Sequence, residues 1–259
     1  MYLCSPVYTS DSLRDSPPSK QSSIIGDGLL PERGLMMLIG ETEAGKSILA
    51  FDMAFSLVLK EAMFKAYRRR HGSEQGSAYF PVRRDCRVLY LDSELGPMGC
   101  HERIKKFYAV RCPDVNLDDR LILVTGGGSY EPLLLHRLGR DDTPVENLKN
   151  LIKEHRPDVL VIDHLGDFHT ADEDANAMRL VLKTLRGIQY ELGFSSIILH
   201  HESDKYTFDQ FGKQFRREGT GRSRGHSSIP QSLDTLLAIR RERKSPYCFL
   251  RLEWLKTRH

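Results

Sequence analysis

The chain has 259 residues, of which 40% are hydrophobic and 28% charged, and its formal net charge is +3. This length suffices for one large or two small domains, and the composition excludes a chain that is disordered, collagen-like or a coiled coil throughout. No apolar run approaches the ~18 residues of a membrane span, and the N-terminus lacks the basic and apolar regions of a secretory signal. We therefore expect a cytoplasmic protein with no membrane partner.

The first 23 residues are rich in Ser and Pro and contain few large apolar side chains. Such a segment buries too little surface to offset its chain entropy. Residues 1–23 are therefore predicted to be a flexible tail, and residues 24–259 a single folded domain. The five cysteines include no C-x-x-C pair, which favours reduced thiols over zinc ligands or a disulfide framework.

From residue 24 onward, short apolar runs alternate with longer segments whose apolar residues recur at three- and four-residue spacing. Almost wholly apolar strands are typical of a sheet buried on both faces, which indicates an α/β protein with a mostly parallel central sheet flanked by helices. The last two runs are predicted to form an antiparallel C-terminal hairpin. The predicted strands are 35–39, 87–92, 120–124, 158–163, 195–200, 235–239 and 248–254, and the predicted helices are 46–66, 98–110, 144–155 and 174–192.

A glycine-containing run between the first predicted strand and helix has the sequence GETEAGKS. It fits the G-x-x-x-x-G-K-[ST] pattern of a P-loop, in which backbone N–H groups surround the phosphates of a nucleotide. Lys46 would reach the β- and γ-phosphate oxygens, and Ser47 would ligate Mg²⁺. The positive end of the following helix would also face the phosphates. We expect ATP and Mg²⁺ as cofactors, bound by Gly40, Glu41, Thr42, Glu43, Ala44, Gly45, Lys46 and Ser47.

Acidic side chains follow two predicted strands at the edge where a nucleotide would bind. Asp163 ends the run VLVID and is placed to hold Mg²⁺ through water. The next residue is His164 rather than a glutamate, so the carboxylate that orients the attacking water must come from another strand. Glu94 is the predicted base, because it lies just beyond the strand that follows the P-loop helix, and Asp92 is the competing candidate.

A third predicted strand ends in His200 and His201. A polar side chain at this point can respond to the γ-phosphate and affect the segment that follows. His201 is the predicted sensor if alternation along the strand directs His200 into the sheet packing. No cysteine or carboxylate lies at metal-site spacing from the pair, which argues against zinc.

Residues 202–225, after the double histidine, interleave basic and aromatic side chains. Cations that follow phosphates and rings that stack on bases are the two components of a sequence-tolerant single-strand binder. Residues 61–84 and 240–259 are also basic, with +6 against −2 and +7 against −2 formal charges, and are alternative nucleic-acid surfaces. The predicted DNA-binding residues are Lys205, Lys213, Arg216, Arg217, Phe211 and Phe215.

With these residues, the chain resembles the RecA-like P-loop ATPases, and within them the plasmid-encoded hexameric replicative helicases of the RepA type. The resemblance covers about residues 25–240 and is carried by DGLLPERGLMMLIGETEAGKS, RVLYLDSE, VIDHLGDFHTADEDAN, LHHES and SRGHSS. It implies that Glu94 is catalytic, that the double histidine is a switch, and that residues 202–225 face a central channel.

The resemblance also implies residues that act across a subunit interface. Arg224 corresponds to the arginine that reaches the neighbouring subunit's nucleotide, and Arg222 is the alternative because His226 interrupts the Arg-Gly-Ser-Ser run. Lys256 and Arg258 resemble a Lys-x-Arg pair that contacts the γ-phosphate of the adjacent protomer in related rings. We therefore expect a homo-oligomer, in the form of a hexameric ring.

The function implied by the resemblance is an ATP-dependent motor on single-stranded DNA, namely the replicative helicase of a plasmid, phage or other mobile element. One alternative is a RecA-like ATPase that binds DNA without unwinding it, such as a recombinase-like, loading or defence factor. A small-molecule P-loop kinase is the alternative from another class, and it would need neither a trans-acting arginine nor a basic aromatic loop.

Overall fold

The fold is given by a computed structural model. It describes residues 10, 22–26, 28–63, 80–112, 114–126, 143–169, 175–202, 206–208, 214–216, 231–244 and 247–257. Within these ranges, no helix combines the length and the apolar character needed to cross a lipid bilayer.

The described residues form eleven strands and four α-helices. The strands are β1 (Ser23–Ile25), β2 (Leu30–Pro31), β3 (Leu35–Gly40), β4 (Val88–Asp92), β5 (Leu121–Thr125), β6 (Val159–Asp163), β7 (Ser195–His201), β8 (Tyr206–Phe208), β9 (Gln214–Arg216), β10 (Thr235–Lys244) and β11 (Tyr247–Thr257). The helices are α1 (Lys46–Leu59), α2 (Gly96–Arg111), α3 (Thr143–His155) and α4 (Ala175–Leu192), and a short 3-10 helix spans Leu165–Phe168.

Seven of the strands form the central sheet, in the order β11-β10-β3-β7-β6-β4-β5. Every neighbouring pair is parallel except β10 and β11, which form an antiparallel hairpin at one edge. The predicted mostly parallel sheet with a C-terminal hairpin is therefore confirmed. In this order β7 lies between β3, which leads into the P-loop, and β6, which ends in Asp163.

Helices cover both faces of the sheet. Along β3, Met36 and Leu38 point into one core with α1 and α2, whereas Leu35, Met37 and Ile39 point into a second core with α3 and α4. This alternation follows from the two-residue period of a strand. All five side chains are fully buried, which explains why the strand is continuously apolar.

The predicted helix 46–66 was wrong at its C-terminal end, because α1 stops at Leu59. Lys60 adopts a left-handed conformation with φ 52°, and its N–H donates to the Leu57 carbonyl. The Glu61 N–H donates to the Ser56 carbonyl at 2.9 Å. These bonds close the last turn in the usual C-terminal pattern, but a lysine rather than a glycine occupies the left-handed position, so the sequence carries no stop signal there.

The other predicted elements need smaller corrections. The five predicted strands between 35 and 200 agree with the structure to within one residue at each end, and α2, α3 and α4 agree to within two. By contrast, β10 and β11 extend well beyond 235–239 and 248–254, because Lys244 still pairs with Tyr247. The short β1–β2 and β8–β9 pairs were not predicted, since each strand has only two or three residues.

The register of the parallel strands brings their carboxyl ends to one edge of the sheet. Gly40 pairs with His201 on one side and with Ile239 on the other. Two strands further along, Asp92 pairs with Asp163. Because loops at this edge of an open α/β sheet build its ligand sites, the predicted P-loop, carboxylates and histidine lie on the same edge.

Candidate functional site

The P-loop links the end of β3 to the start of α1. Gly45 has φ 95° and precedes the first helical residue, a conformation that glycine adopts without a Cβ clash. At Gly40, a Cβ atom would lie 2.9 Å from the Ile239 carbonyl oxygen of β10. The two glycines of the motif are thus required by the backbone turn and by the close approach of a neighbouring strand.

Lys46 lies folded against this loop and is 8% exposed. Its Nζ donates to the carbonyl oxygens of Gly40 at 3.0 Å and Glu41 at 2.9 Å. Burial lowers the pKa of Lys46, and the carboxylates of Glu94, Asp163 and Glu202 partly oppose this effect. The ammonium group is therefore held at the mouth of the loop, where a phosphate anion would add favourable charge.

Ser47 and Asp163 lie next to each other, as a shared magnesium site requires. Ser47 Oγ donates to Asp163 Oδ1 at 3.1 Å, and the buried Tyr90 hydroxyl donates to Oδ2 at 2.6 Å. Burial raises the pKa of Asp163 to about 6, even though both hydrogen bonds act in the opposite direction. A buried carboxylate beside a hydroxyl is a hard oxygen donor set that fits Mg²⁺, and binding the cation would offset the cost of burying this charge.

The two candidate bases at the end of β4 have different surroundings. Asp92 is 1% exposed, and its Oδ2 accepts hydrogen bonds from Leu95 N at 3.1 Å and Cys100 Sγ at 3.3 Å. The Glu94 side chain is 48% exposed and extends from the same edge. These contacts place Asp92 in the packing of the N-terminus of α2 and leave Glu94 as the carboxylate able to contact water.

His164 lies between Glu94 and His201. Its Nδ1 lies 3.3 Å from Glu94 Oε1 and 3.4 Å from Asp167 Oδ2. Its ring meets that of His201 edge to face, with centroids 4.7 Å apart. His200 is 1% exposed, so the alternation along β7 leaves His201 as the histidine that faces the site.

Glu94, His164 and His201 offer ligand atoms that all lie within 4.8 Å of one another. Sequence spacing argued against a metal at the double histidine. The spacing does not show this group, because the three side chains come from different strand ends and only the sheet order brings them together. Among the described residues, no other group of three such side chains is this compact.

Sequence analysis missed the contribution of Arg240. This residue of β10 reaches the P-loop and forms ion pairs with Glu41 and Glu202. A cavity of about 390 Å³ lies beside it, and its walls are formed by Glu41, Thr42, Glu43, Ala44, Ile239, Arg240 and Arg241. In the sequence, Arg240 is marked only as the residue that follows an apolar run. It reaches the P-loop because β10 lies next to β3.

Lys256 is not brought to the P-loop of its own chain. It pairs with Leu236 near the start of β10, which is level with Met37 rather than with Gly40. Its Nζ donates to the Leu233 carbonyl at 2.8 Å, at the opposite edge of the sheet. A contact between Lys256 and a nucleotide would therefore have to be made in another subunit, as the resemblance predicts.

Several predicted residues lie outside the described parts of the chain. For Arg216 and Phe215 the structure describes the backbone, which pairs with Tyr206 and Thr207 in the β8–β9 hairpin. The predicted residues outside the described ranges are Lys205, Phe211, Lys213, Arg217, Arg222, Arg224 and Arg258.

The P-loop, the buried Asp163 beside Ser47 and the exposed Glu94 lie together at this sheet edge, an arrangement that fits the hydrolysis of a nucleoside triphosphate by a P-loop enzyme. The fold and the site together define a P-loop ATPase. Residues 5–205, more than half of the chain, match a family model described as an AAA domain, and the chain belongs to that family of P-loop ATPases. A comparison with curated proteins returns no match to the chain.

Proposed function

We propose that the chain is an ATP-driven motor on single-stranded DNA that assembles into a hexameric ring and acts as the replicative helicase of a plasmid, phage or other mobile element. One observation carries the proposal. Strand β7 ends at the P-loop, where Glu202 N donates to the Gly40 carbonyl at 3.1 Å, and the chain continues directly into the basic and aromatic residues 202–225. The backbone of Glu202 thus connects the P-loop directly to the candidate DNA-binding segment, so a change at the nucleotide site could be passed to that segment.

In this proposal, the residues of the P-loop bind and orient the triphosphate. Lys46 exchanges its bonds to the Gly40 and Glu41 carbonyls for phosphate oxygens. Ser47 and Asp163 would hold Mg²⁺, which when bound neutralises charge on the β- and γ-phosphate oxygens. The N-terminus of α1 adds its positive end to the same site.

Glu94 orients the attacking water and accepts its proton. His164 Nδ1 lies 3.3 Å from Glu94 Oε1, beside that carboxylate at the edge of the site. His201 contacts the His164 ring, so a γ-phosphate that displaces His201 would also affect the orientation of Glu94. This chain of contacts couples the sensor on β7 to the base after β4.

The DNA-binding part of the proposal is tested with a basic and an aromatic set of variants. Replacing Lys213, Arg216 and Arg217 with Ala should weaken single-strand binding and flatten the slope of log K against log salt by about 2 or less, since each phosphate contact contributes ~0.7. Phe211→Ala and Phe215→Ala should each cost ~1–3 kcal/mol of binding with little change in slope. Unchanged affinity and slope in the triple variant would exclude this segment as the DNA site.

Unwinding is tested separately from binding. ATP hydrolysis stimulated by single-stranded DNA, together with strand displacement on a forked duplex, is expected for a helicase. Stimulation without displacement would favour the recombinase-like, loading or defence alternative. Hydrolysis that is insensitive to DNA and independent of protein concentration would favour a small-molecule kinase.

A further inference from the structure

Arg240 connects two segments of the site that are far apart in sequence. Its NH1 donates to Glu41 Oε1 at 2.9 Å and its NH2 to Glu202 Oε1 at 3.0 Å. Its side chain is 15% exposed and that of Glu202 is 6% exposed. The guanidinium group thus holds one carboxylate of the P-loop and one at the end of β7, and its pair with the buried Glu202 lies in surroundings that screen charge weakly.

Glu202 also lies close to the phosphate-binding lysine. Its backbone N–H and Lys46 Nζ donate to the same carbonyl, that of Gly40, at 3.1 and 3.0 Å. This shared acceptor places the Glu202 backbone and the Lys46 ammonium group side by side at the P-loop. A buried carboxylate needs a cation, and the site contains two that could serve, Arg240 and Lys46.

We propose that Arg240 is a positioning residue for ATP binding, because its ion pair with Glu202 keeps that carboxylate from capturing Lys46. A lysine is a flexible point charge that can turn towards either anion, whereas the arginine fork binds carboxylates in a fixed plane. With Arg240 in place, Lys46 is available to the phosphates. Without it, Lys46 pairs with Glu202, and ATP must break that pair in order to bind.

The inference rests on ATP binding at the P-loop, and calorimetric titration of the full-length protein with ATPγS and Mg²⁺ tests both. We expect Arg240→Gln to weaken binding by about tenfold or more, since it leaves a buried carboxylate to pair with Lys46. Glu202→Gln breaks the same ion pair but removes the competing anion. It should therefore bind within about threefold of the wild type, the range of most neutral substitutions.

The double variant Arg240→Gln/Glu202→Gln discriminates this function from a merely structural one. If Arg240 acts by neutralising Glu202, the double variant should regain the affinity of Glu202→Gln. Arg251→Gln removes the same charge from the residue that pairs with Arg240 on β11 and is 63% exposed, so this matched control should bind nearly normally. Titrations at about 0.15 and 0.5 M salt distinguish two causes of a loss in ATP affinity. A loss caused by a direct Lys46–Glu202 pair should persist at high salt, whereas a loss of long-range attraction for ATP should be screened.

Three outcomes would overturn the inference while wild-type binding stands: equal losses in Arg240→Gln and Glu202→Gln, no rescue in the double variant, or an equal loss in Arg251→Gln. No binding by the wild type would instead contradict the proposed function. If Arg240→Gln is too unstable to titrate, the double variant decides alone. Binding within about threefold of the wild type supports the inference, and a tenfold loss contradicts it.

Discussion

At the residue scale, the two carboxylates after β4 illustrate how surroundings separate similar side chains. Asp92 accepts hydrogen bonds from the start of α2, whereas Glu94 lies beside His164 at the open edge. Both were candidates for the base because both follow the same apolar strand. Their difference in burial assigns Asp92 to packing and supports Glu94 as the base.

The first prediction concerns Glu94→Gln, which keeps the shape of the side chain but cannot accept a proton. ATP affinity should stay near normal while hydrolysis falls ~10²–10⁴-fold. Steady-state hydrolysis and ATP titration of the same preparation provide the measurement. As the matched control, Asp92→Asn should mainly lower the melting temperature. Its effect on the hydrolysis rate per folded molecule should be smaller. Rapid hydrolysis by the Glu94→Gln protein would remove Glu94 from its proposed role.

The second prediction concerns Asp163, whose pKa burial raises from 3.8 to about 6. Since the folded protein binds this proton more tightly than the unfolded chain does, ionisation above pH 6 destabilises the fold, and the penalty disappears as the pH falls towards 4. Without nucleotide and Mg²⁺, Asp163→Asn should therefore raise the free energy of unfolding at pH 7.5 by up to about 3 kcal/mol.

Urea unfolding at several pH values tests this expectation. The advantage of Asp163→Asn should shrink between pH 6 and pH 4, and ATP hydrolysis should be lost at every pH because the carboxylate proposed to hold Mg²⁺ is gone. Asp119→Asn, at an exposed position, controls for the loss of one negative charge. A variant less stable than the wild type at pH 7.5 would contradict the expected cost of burying this charge.

At the element scale, one buried cation joins α2 to α1. Arg111, in the last turn of α2, forms ion pairs with Asp52 of α1 and with Glu61, and its NH2 donates to Ser56 Oγ at 3.1 Å. Arg111 and Asp52 are 7% and 9% exposed.

The third prediction is that Arg111→Met lowers the free energy of unfolding by ~3–5 kcal/mol, since it leaves the Asp52 carboxylate buried without its cation. Adding Asp52→Asn should recover part of the loss because the uncompensated charge disappears. Lys105→Met, at an exposed position of the same helix, should change stability by less than about 0.5 kcal/mol. Denaturant unfolding measures all three, and equal effects at positions 105 and 111 would contradict the prediction.

At the scale of the whole molecule, the proposed ring requires each site to be completed by a neighbour. Lys256 bonds to Leu233 at the edge of the sheet opposite the P-loop, so it has no access to the nucleotide of its own chain. The resemblance assigns Arg224 to the same interface. Activity should therefore depend on assembly, and hydrolysis per subunit should rise with protein concentration.

The fourth prediction uses mixed assemblies. Lys46→Ala should lose ATP binding, and Arg224→Ala should bind ATP but turn over ~10³–10⁵-fold more slowly if the arginine acts as a finger. Mixing the two inactive proteins should restore some hydrolysis at interfaces that join an intact P-loop to an intact arginine. Absence of rescue, with co-assembly shown by mass measurement, would count against a shared site, and the same experiment with Arg222→Ala tests the alternative finger.

Much of the site could be predicted because its signals are local. The P-loop lies in one run of eight residues, from Gly40 to Ser47, and Asp163 and Glu94 each follow an apolar strand. The ends of elements were harder to predict where a residue acts against its usual preference, as Lys60 does in the left-handed conformation that ends α1. The length of β10 was underestimated because its second half, residues 240–244, is polar and pairs with β11 beyond the end of β3.

The sequence by itself determined that this is an α/β protein with a P-loop, since backbone turn, phosphate contacts and strand burial are written in neighbouring residues. Only the tertiary structure decided which distant side chains meet. Arg240 and Glu41 are 199 positions apart, and Glu94, His164 and His201 come from three strand ends. Such contacts depend on strand order and register, which arise from the packing of the whole sheet, and no local pattern encodes them.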